Sequence, residues 1–189
     1  MKKLFTAGAL LLGCAAAHAD PISWGFSFSG FYDKEADVFL TGEAITGSFK
    51  GNDLDRDGLL EKDELLALVI GEMDYVACAA GSNAWYQCGA TAFSFSTDAG
   101  LSFSVGSYGS DPEGWVGGGK LITVGDMHYA YDYNPGGTAE RHLYWTSDTH
   151  LTMISQVPEP ATWAMFGAGL LALTWSMRRQ RARARSTGA

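Results

Sequence analysis

A short acidic segment, residues 53–64, carries the side chains best suited to chemistry. Its sequence is DLDRDGLLEKDE, so carboxylates stand at alternate positions in its first half and a glycine follows them. Alternate acidic residues can turn three carboxylates toward one point, and hard cations such as Ca²⁺ take oxygen ligands of this kind. The pattern therefore predicts a calcium site. Its predicted ligands are the carboxylates of Asp53, Asp55, Asp57 and Glu64, the backbone carbonyl of Leu59, and Glu61 through a water molecule.

The segment resembles the twelve-residue loop of EF-hand and dockerin-type calcium sites at loop positions 1, 3, 5, 6 and 12. The resemblance implies a tight bend at Gly58 and an inward-packing Leu60. An ordinary EF-hand has a helix before the loop, whereas residues 45–51 have the pattern of a strand, and the sequence offers no second loop to pair with this one. We therefore expect a structural, extracellular site with a Kd of about 10⁻⁴ to 10⁻³ M. The alternative is an acidic turn that binds nothing.

Two cysteines, Cys78 and Cys88, remain once Cys14 is assigned to a signal peptide. An even number of cysteines in an exported domain favours a disulfide, and this one would close a short loop. The spacing excludes a CxxC redox centre, and further zinc ligands are missing. We predict a Cys78–Cys88 disulfide.

The elements that must position these residues are mostly strands. Residues 22–29 alternate large apolar with small side chains, which is the period of a half-buried strand. Residues 93–105 alternate in the same way around a turn, and tyrosines alternate along 129–133 before a second turn at 134–137. Short strands joined by glycine-rich turns predict a mainly β fold, an antiparallel β-sandwich or barrel-like domain. One short helix is predicted after the acidic loop, over residues 62–73, where Leu65, Leu66, Val69 and Met73 fall at helical spacing.

The net charge of the central domain, residues 20–157, limits the classes of partner that it can bind. It holds six Lys or Arg against 20 Asp or Glu, a net charge of −14. Such a domain repels phosphate backbones, so we expect no nucleic-acid partner. The sequence also lacks GxSxG and HExxH signatures, which favours a protein that is not an enzyme.

The N-terminal residues 1–19 have the order of a secretory signal peptide. Lys2 and Lys3 precede an apolar run, and small residues end at Ala19, where we expect signal peptidase to cut. A lipoprotein acylated at Cys14 is the alternative. Either reading predicts export of the domain.

The C-terminal residues 158–185 combine three features in a fixed order. Pro158, Glu159 and Pro160 precede an uncharged stretch at 161–177, which predicts a short transmembrane helix, and five arginines follow, beginning with Arg178 and Arg179. This order resembles the PEP-CTERM sorting signal. The resemblance implies a Gram-negative bacterium, an exosortase as processing partner, transient inner-membrane anchoring, and delivery to the cell surface or an exopolysaccharide matrix. Whether the tail is cleaved or retained stays open.

The expected function is therefore that of an exported, non-enzymatic protein of the cell surface or extracellular matrix, associated with exopolysaccharide or biofilm and stabilised by Ca²⁺. A second hypothesis is a secreted, lectin-like glycan-binding module. Its stacking platform would use Tyr129, Tyr131, Tyr133, Tyr144 and Trp145. A third is an exported hydrolase, because paired carboxylates on different strands leave no linear signature.

Overall fold

Strands dominate the computed structural model, which describes residues 21–155. The predicted mainly β, antiparallel fold is confirmed. The alternation of large and small side chains that suits a pleated surface accounts for most of these strands. Their bounds are β1 Ile22–Asp33, β2 Val38–Gly51, β3 Leu60–Glu61, β4 Leu65–Ile70, β5 Met73–Asp74, β6 Tyr86–Ser96, β7 Gly100–Ser110, β8 Gly117–Thr123, β9 Met127–Asn134, β10 Gly137–Tyr144 and β11 His150–Ser155.

All eleven strands belong to one antiparallel sheet, in the order β3-β6-β7-β8-β9-β10-β1-β2-β4-β5, with β11 also paired to β1. Strand β11 lies along residues 24–29 of β1, and β10 pairs with β1 at Tyr32 and Asp33. The sheet curls into a half-barrel, so it is one continuous layer folded toward itself. The two predicted hairpins are confirmed: β6 and β7 join through residues 97–99, and β9 and β10 join through Pro135 and Gly136.

The core fills the inside of the curl. Large side chains of β1 and β2 meet those of β6 and β7, with ring centroids 5.4 Å apart for Phe26 and Phe103 and 5.1 Å apart for Phe49 and Phe93. Because side chains alternate along a strand, the opposite set points to the outer face. The sheet therefore has an apolar inner face and a separate outer face.

The predicted helix at residues 62–73 is wrong. Only Lys62–Glu64 forms a helical turn, of the 3-10 type, and Leu65–Ile70 forms β4, which pairs with β2. A run of apolar residues fits the period of a helix as well as that of a strand. Here the edge of β2 supplies backbone hydrogen-bond partners, and these favour the strand. Leu68 and Ile70, two residues apart, are both buried, as strand alternation requires, and Leu66 lies at an irregularity in the pairing with β2, where it is 52% exposed.

The structure joins Cys78 to Cys88, with the two sulfur atoms 2.00 Å apart. Cys78 lies in a 3-10 turn, Ala77–Gly81, and Cys88 lies in β6. The bond therefore attaches this turn to the free edge of the first half of β6.

Candidate calcium site

The acidic loop lies where the chain crosses from one side of the curled sheet to the other. It leaves β2 at Gly51 and enters β3, which pairs with β6 at Phe95 and Ser94. The two ends of the loop are held together, since the backbone N–H of Asn52 donates to the carbonyl oxygen of Glu64 at 3.1 Å. The residue between the predicted ligands at 59 and 61, Leu60, is 1% exposed, so its predicted inward packing is confirmed. The loop is thus anchored in the core.

Three carboxylates converge inside the loop. One ligand oxygen from each of Asp53, Asp55 and Asp57 lies within 4.8 Å of the other two. Backbone N–H groups hold them in this arrangement, because Gly58 donates to Asp53 at 3.1 Å and Leu59 donates to Asp57 at 2.7 Å. Like charges at this separation repel one another, and a divalent cation between them removes the repulsion.

The carboxylate of Glu64 lies across the same loop. One of its oxygens accepts from the backbone N–H of Leu54 at 2.6 Å, and the other accepts from the N–H of Glu61 at 3.1 Å. Both oxygens keep further lone pairs, so Glu64 is placed to close a shell of oxygen ligands. The Glu64 carboxylate reaches the loop backbone at Leu54, between Asp53 and Asp55, although the predicted helix that was to carry it is absent.

Two oxygen atoms in the loop have no hydrogen-bond partner among the described residues. The atoms are Oδ1 of Asp53 and Oδ1 of Asn52, and both are buried. A buried acceptor without a donor is unfavourable, and a bound cation would satisfy it. The donor set, oxygen atoms with carboxylates in the majority, fits Ca²⁺. Asn52 is not among the predicted ligands, because it precedes loop position 1 of the EF-hand pattern.

The remaining predicted ligands lie at the loop exit. Leu59 is partly buried and Glu61 is exposed. Arg56 and Gly58 have left-handed backbone, with φ of +63° and +83°, and these two positions produce the tight bend that the glycine predicts. Within residues 21–155, no second cluster of three metal-ligating groups is present. The site is therefore a single loop flanked by strands.

A second feature, the outer aromatic row, runs across β9 and β10 on the outer face. It is defined by Tyr129, Tyr131, Tyr133, His142 and Tyr144. Neighbouring rings are close to parallel, with interplanar angles between 6° and 22° and centroid separations between 4.5 and 6.4 Å.

Two carboxylates lie beside the outer aromatic row, Glu140 next to Tyr129 and Glu35 next to His142. Desolvation, followed by the charge and hydrogen bond of Glu140, raises the pKa of Tyr129. The imidazole Nδ1 of His142 lies 2.7 Å from a carboxylate oxygen of Glu35, and the backbone N–H of His142 donates to the other oxygen at 2.8 Å. Of the predicted stacking platform, Trp145 does not belong to this row, because it packs into the core against Phe31 with ring centroids 4.8 Å apart.

Residues 156–179 match the family model of the PEP-CTERM protein-sorting motif. The chain carries an exosortase sorting signal. The predicted PEP-CTERM sorting signal is thereby confirmed, and the motif indicates an exported protein that is attached to a membrane transiently through its C-terminal tail. The matched residues include Pro158, Glu159, Pro160, Arg178 and Arg179.

No match was found among curated proteins or among solved structures. The signal peptide predicted at 1–19 and the transmembrane helix predicted at 161–177 lie outside the described residues. Across residues 21–155, no helix has both the length and the apolar character needed to cross a membrane. The sorting motif indicates the route of the chain and carries no information on the chemistry of its β domain.

Proposed function

We propose that this chain is a non-enzymatic protein of the cell surface or extracellular matrix of a Gram-negative bacterium, where it associates with exopolysaccharide or biofilm. The sorting motif at residues 156–179 is the single observation that carries the proposal, because it assigns the route of export. The acidic balance of the domain agrees with an uncharged or cationic partner outside the cell. One Ca²⁺ bound by the acidic loop stabilises the domain in that setting.

Calcium is supported by the geometry of the loop. Three aspartate carboxylates converge, the Glu64 carboxylate contacts the backbone of the same loop at Leu54, and buried oxygens of Asn52 and Asp53 lack partners among the described residues. Ligation by three aspartates and a closing glutamate is the chemistry that a hard, flexible cation prefers. In this proposal calcium fixes the crossing between β2 and β3 and does not act as a switch, because the loop has no partner loop.

The export part is tested by following the protein in its host. Replacement of residues 158–160 by three alanines removes the motif that an exosortase would read, so we expect the variant to collect in the inner membrane with its tail attached. The matched control replaces residues 186–188, which lie beyond the matched segment, and should reach the same fraction as the wild type. Cell fractionation and the intact mass of each form give the readout. Identical fractions and masses for all three proteins would contradict the sorting proposal.

A glycan-binding module is the second candidate, and the outer aromatic row favours it. Rings on the outer face of a sheet are available to a ligand, whereas rings such as Trp145 belong to the core. Aromatic faces bury the apolar faces of a partner while their polar edges keep contact with water. This candidate is compatible with a matrix location and adds a ligand to it.

An exported hydrolase has less support from the described residues. Asp33 and Glu43 are neighbouring carboxylates away from the acidic loop, yet both bind Arg141, at 3.3 and 3.2 Å. A guanidinium that binds two carboxylates holds them in charge-assisted hydrogen bonds, a geometry that orders the two strands rather than presenting an acid and its partner to a substrate. The pair therefore favours a structural role.

A further inference from the structure

A groove runs over the outer face of β6 to β9. Its volume is about 580 Å³, which falls within the range of about 300–1,000 Å³ that ligand sites occupy. Tyrosine rings line one part of it and the 3-10 turn at Ala77–Gly81 lines the other. Its walls and floor include Ala79, Gln87, Gly106, Tyr108, Leu121 and Tyr131.

Glycines make the room for this groove. Gly106 lies opposite Leu121 in the sheet and has no side chain to fill the space above the strand. A Cβ atom placed there would lie 3.4 Å from the carbonyl oxygen of Lys120 and 3.6 Å from Cδ1 of Leu121, which the site can accommodate. A larger side chain at residue 106 would therefore extend into the groove without disturbing the strand.

Glycines also bring the aromatic rings close to the sheet. A Cβ atom at Gly117 would lie 2.5 Å from the phenolic oxygen of Tyr133, so this ring lies across the glycine. The ring of Tyr131 is within 6° of the same plane, with its centroid 6.4 Å away. Tyr108, opposite Gly119 on the next strand, is 57% exposed. The groove therefore borders a continuous aromatic surface that solvent can reach.

The polar groups around the groove can donate and accept hydrogen bonds without a charge. They include the amide of Gln87, which donates one N–H to Asn83 and keeps the other, the hydroxyl of Thr91, which donates to Ser104 and can still accept, and the phenols of Tyr129 and Tyr131. Lys120 is the one charged residue among the described residues that line the groove, and strand alternation places its side chain on the inner face with Ile122. The lining offers no carboxylate to a cation, and the net charge of −14 over residues 20–157 opposes an anionic ligand.

We propose that the groove between Ala79 and Tyr131 binds a segment of uncharged polysaccharide, with sugar rings stacked on the tyrosines and sugar hydroxyls bound by Gln87 and the phenols. Aromatic surface for the C–H faces of a sugar and uncharged polar groups for its hydroxyls are both present. This proposal rests on the proposed function in one respect: export of the protein is what would bring the groove into contact with extracellular polysaccharide. A second copy of this chain fits less well, because two acidic domains repel each other.

The test is affinity electrophoresis of the exported protein, purified from its host, in native gels that contain dextran, glucomannan or xyloglucan. We expect at least one of these uncharged polymers to slow the protein. Gly106→Val fills the groove with a side chain that suits a strand, and Tyr131→Ala removes a ring; each should weaken binding about tenfold or more. Gly42→Val is the matched control, because position 42 is an exposed β2 residue with open space around it. Thermal melts verify that each variant is folded.

Several outcomes would overturn the proposal. Unchanged migration in all three polymers would do so, as would full binding by a folded Gly106→Val variant. Alginate that slows the protein as strongly as the neutral polymers would show that charge, not stacking, recognises the ligand. A dimer that Gly106→Val dissociates would assign the groove to self-association. Binding by the purified protein does not depend on its sorting, so a failure of the groove and a failure of the export proposal are read from different experiments.

Discussion

Removal of calcium should lower the thermal stability of the exported protein by an amount that follows from the affinity expected of a single extracellular calcium loop. A site with a Kd of about 10⁻⁴ to 10⁻³ M adds about 1.4 to 2.7 kcal/mol of stability at about 10 mM free calcium. The 135 described residues correspond to an unfolding entropy at which 1 kcal/mol shifts Tm by about 3–4 °C. We therefore expect Tm to fall by roughly 5–10 °C when EGTA replaces calcium.

The repulsion between the carboxylates gives a sharper form of the same prediction. The ligand oxygens of the three aspartates lie within 4.8 Å of one another, and at that upper limit a pair of unit charges repels by about 0.9 kcal/mol in a water-like dielectric; Asp55 takes part in two of the three pairs. Asp55→Asn removes both, which amounts to about 1 kcal/mol after screening by physiological salt. The variant should therefore melt about 3 °C above the wild type in EGTA and below it in calcium. The amide oxygen can still accept the N–H of Asp57, so this hydrogen bond is retained.

The assay is circular dichroism at rising temperature, with the disulfide intact, in calcium, in magnesium and in EGTA. Asp63→Asn is the matched control. Asp63 lies in the 3-10 turn that also carries Glu64, its side chain is 94% exposed, and it is not a predicted ligand. It should keep the full response to calcium. Superimposable melts of the wild type in calcium and in EGTA would refute the site. A loss of stability in Asp55→Asn that is equal in both conditions would assign the carboxylate to a structural role only.

Two further predictions concern the disulfide and a partly buried histidine, His128. The non-reduced, denatured mature protein should show no free thiol from Cys78 or Cys88, and two titratable thiols would disprove the bond. The Cys78→Ser, Cys88→Ser double variant should lose about 2–3 kcal/mol of unfolding free energy, because the bond links residues 10 positions apart. Burial, followed by the positive charge of Lys120, lowers the pKa of His128 below 6.5, so the unfolded chain binds the proton more readily and stability should fall as pH drops below about 6.5. His128→Gln should reduce that fall between pH 7 and 5, and an NMR titration that places the pKa of His128 at or above 6.5 would contradict the reasoning.

Local pattern was sufficient to predict the strands that end in tight turns. The alternation of Phe93 and Phe95 with serines, and of the tyrosines in β9 with smaller residues, specifies one face per strand, and turn residues specify the reversal. The convergence of the three loop aspartates was predictable for the same reason. Alternate aspartates and one glycine are a local pattern, and the hydrogen bonds that hold Asp53 and Asp57 come from Gly58 and Leu59 of the same loop.

Features decided by distant partners were not predictable from the sequence. Whether Leu65–Ile70 forms a helix or a strand depends on the open edge of β2, which lies outside any local window. The position of Trp145 in the core depends on Phe28 and Phe31, more than a hundred residues earlier in the chain. The groove depends on four strands meeting with glycines in register, and no spacing within one strand reveals such a register.

The acidic loop is connected directly to the core at both of its ends, so a cation bound in the loop would affect the stability of the whole sheet. The chain enters the loop from β2, and immediately after the loop Leu60 packs into the core while β3 pairs with β6 on the other side of the curl. The next strand, β4, returns to pair with β2. Because β2 and β3 flank the loop and pair on opposite sides of the curl, whatever fixes the loop also fixes the two sides of the sheet relative to each other. Loss of the cation would therefore first loosen the short β3–β6 pairing, and slower hydrogen exchange at Phe95 in calcium than in EGTA would locate the effect there.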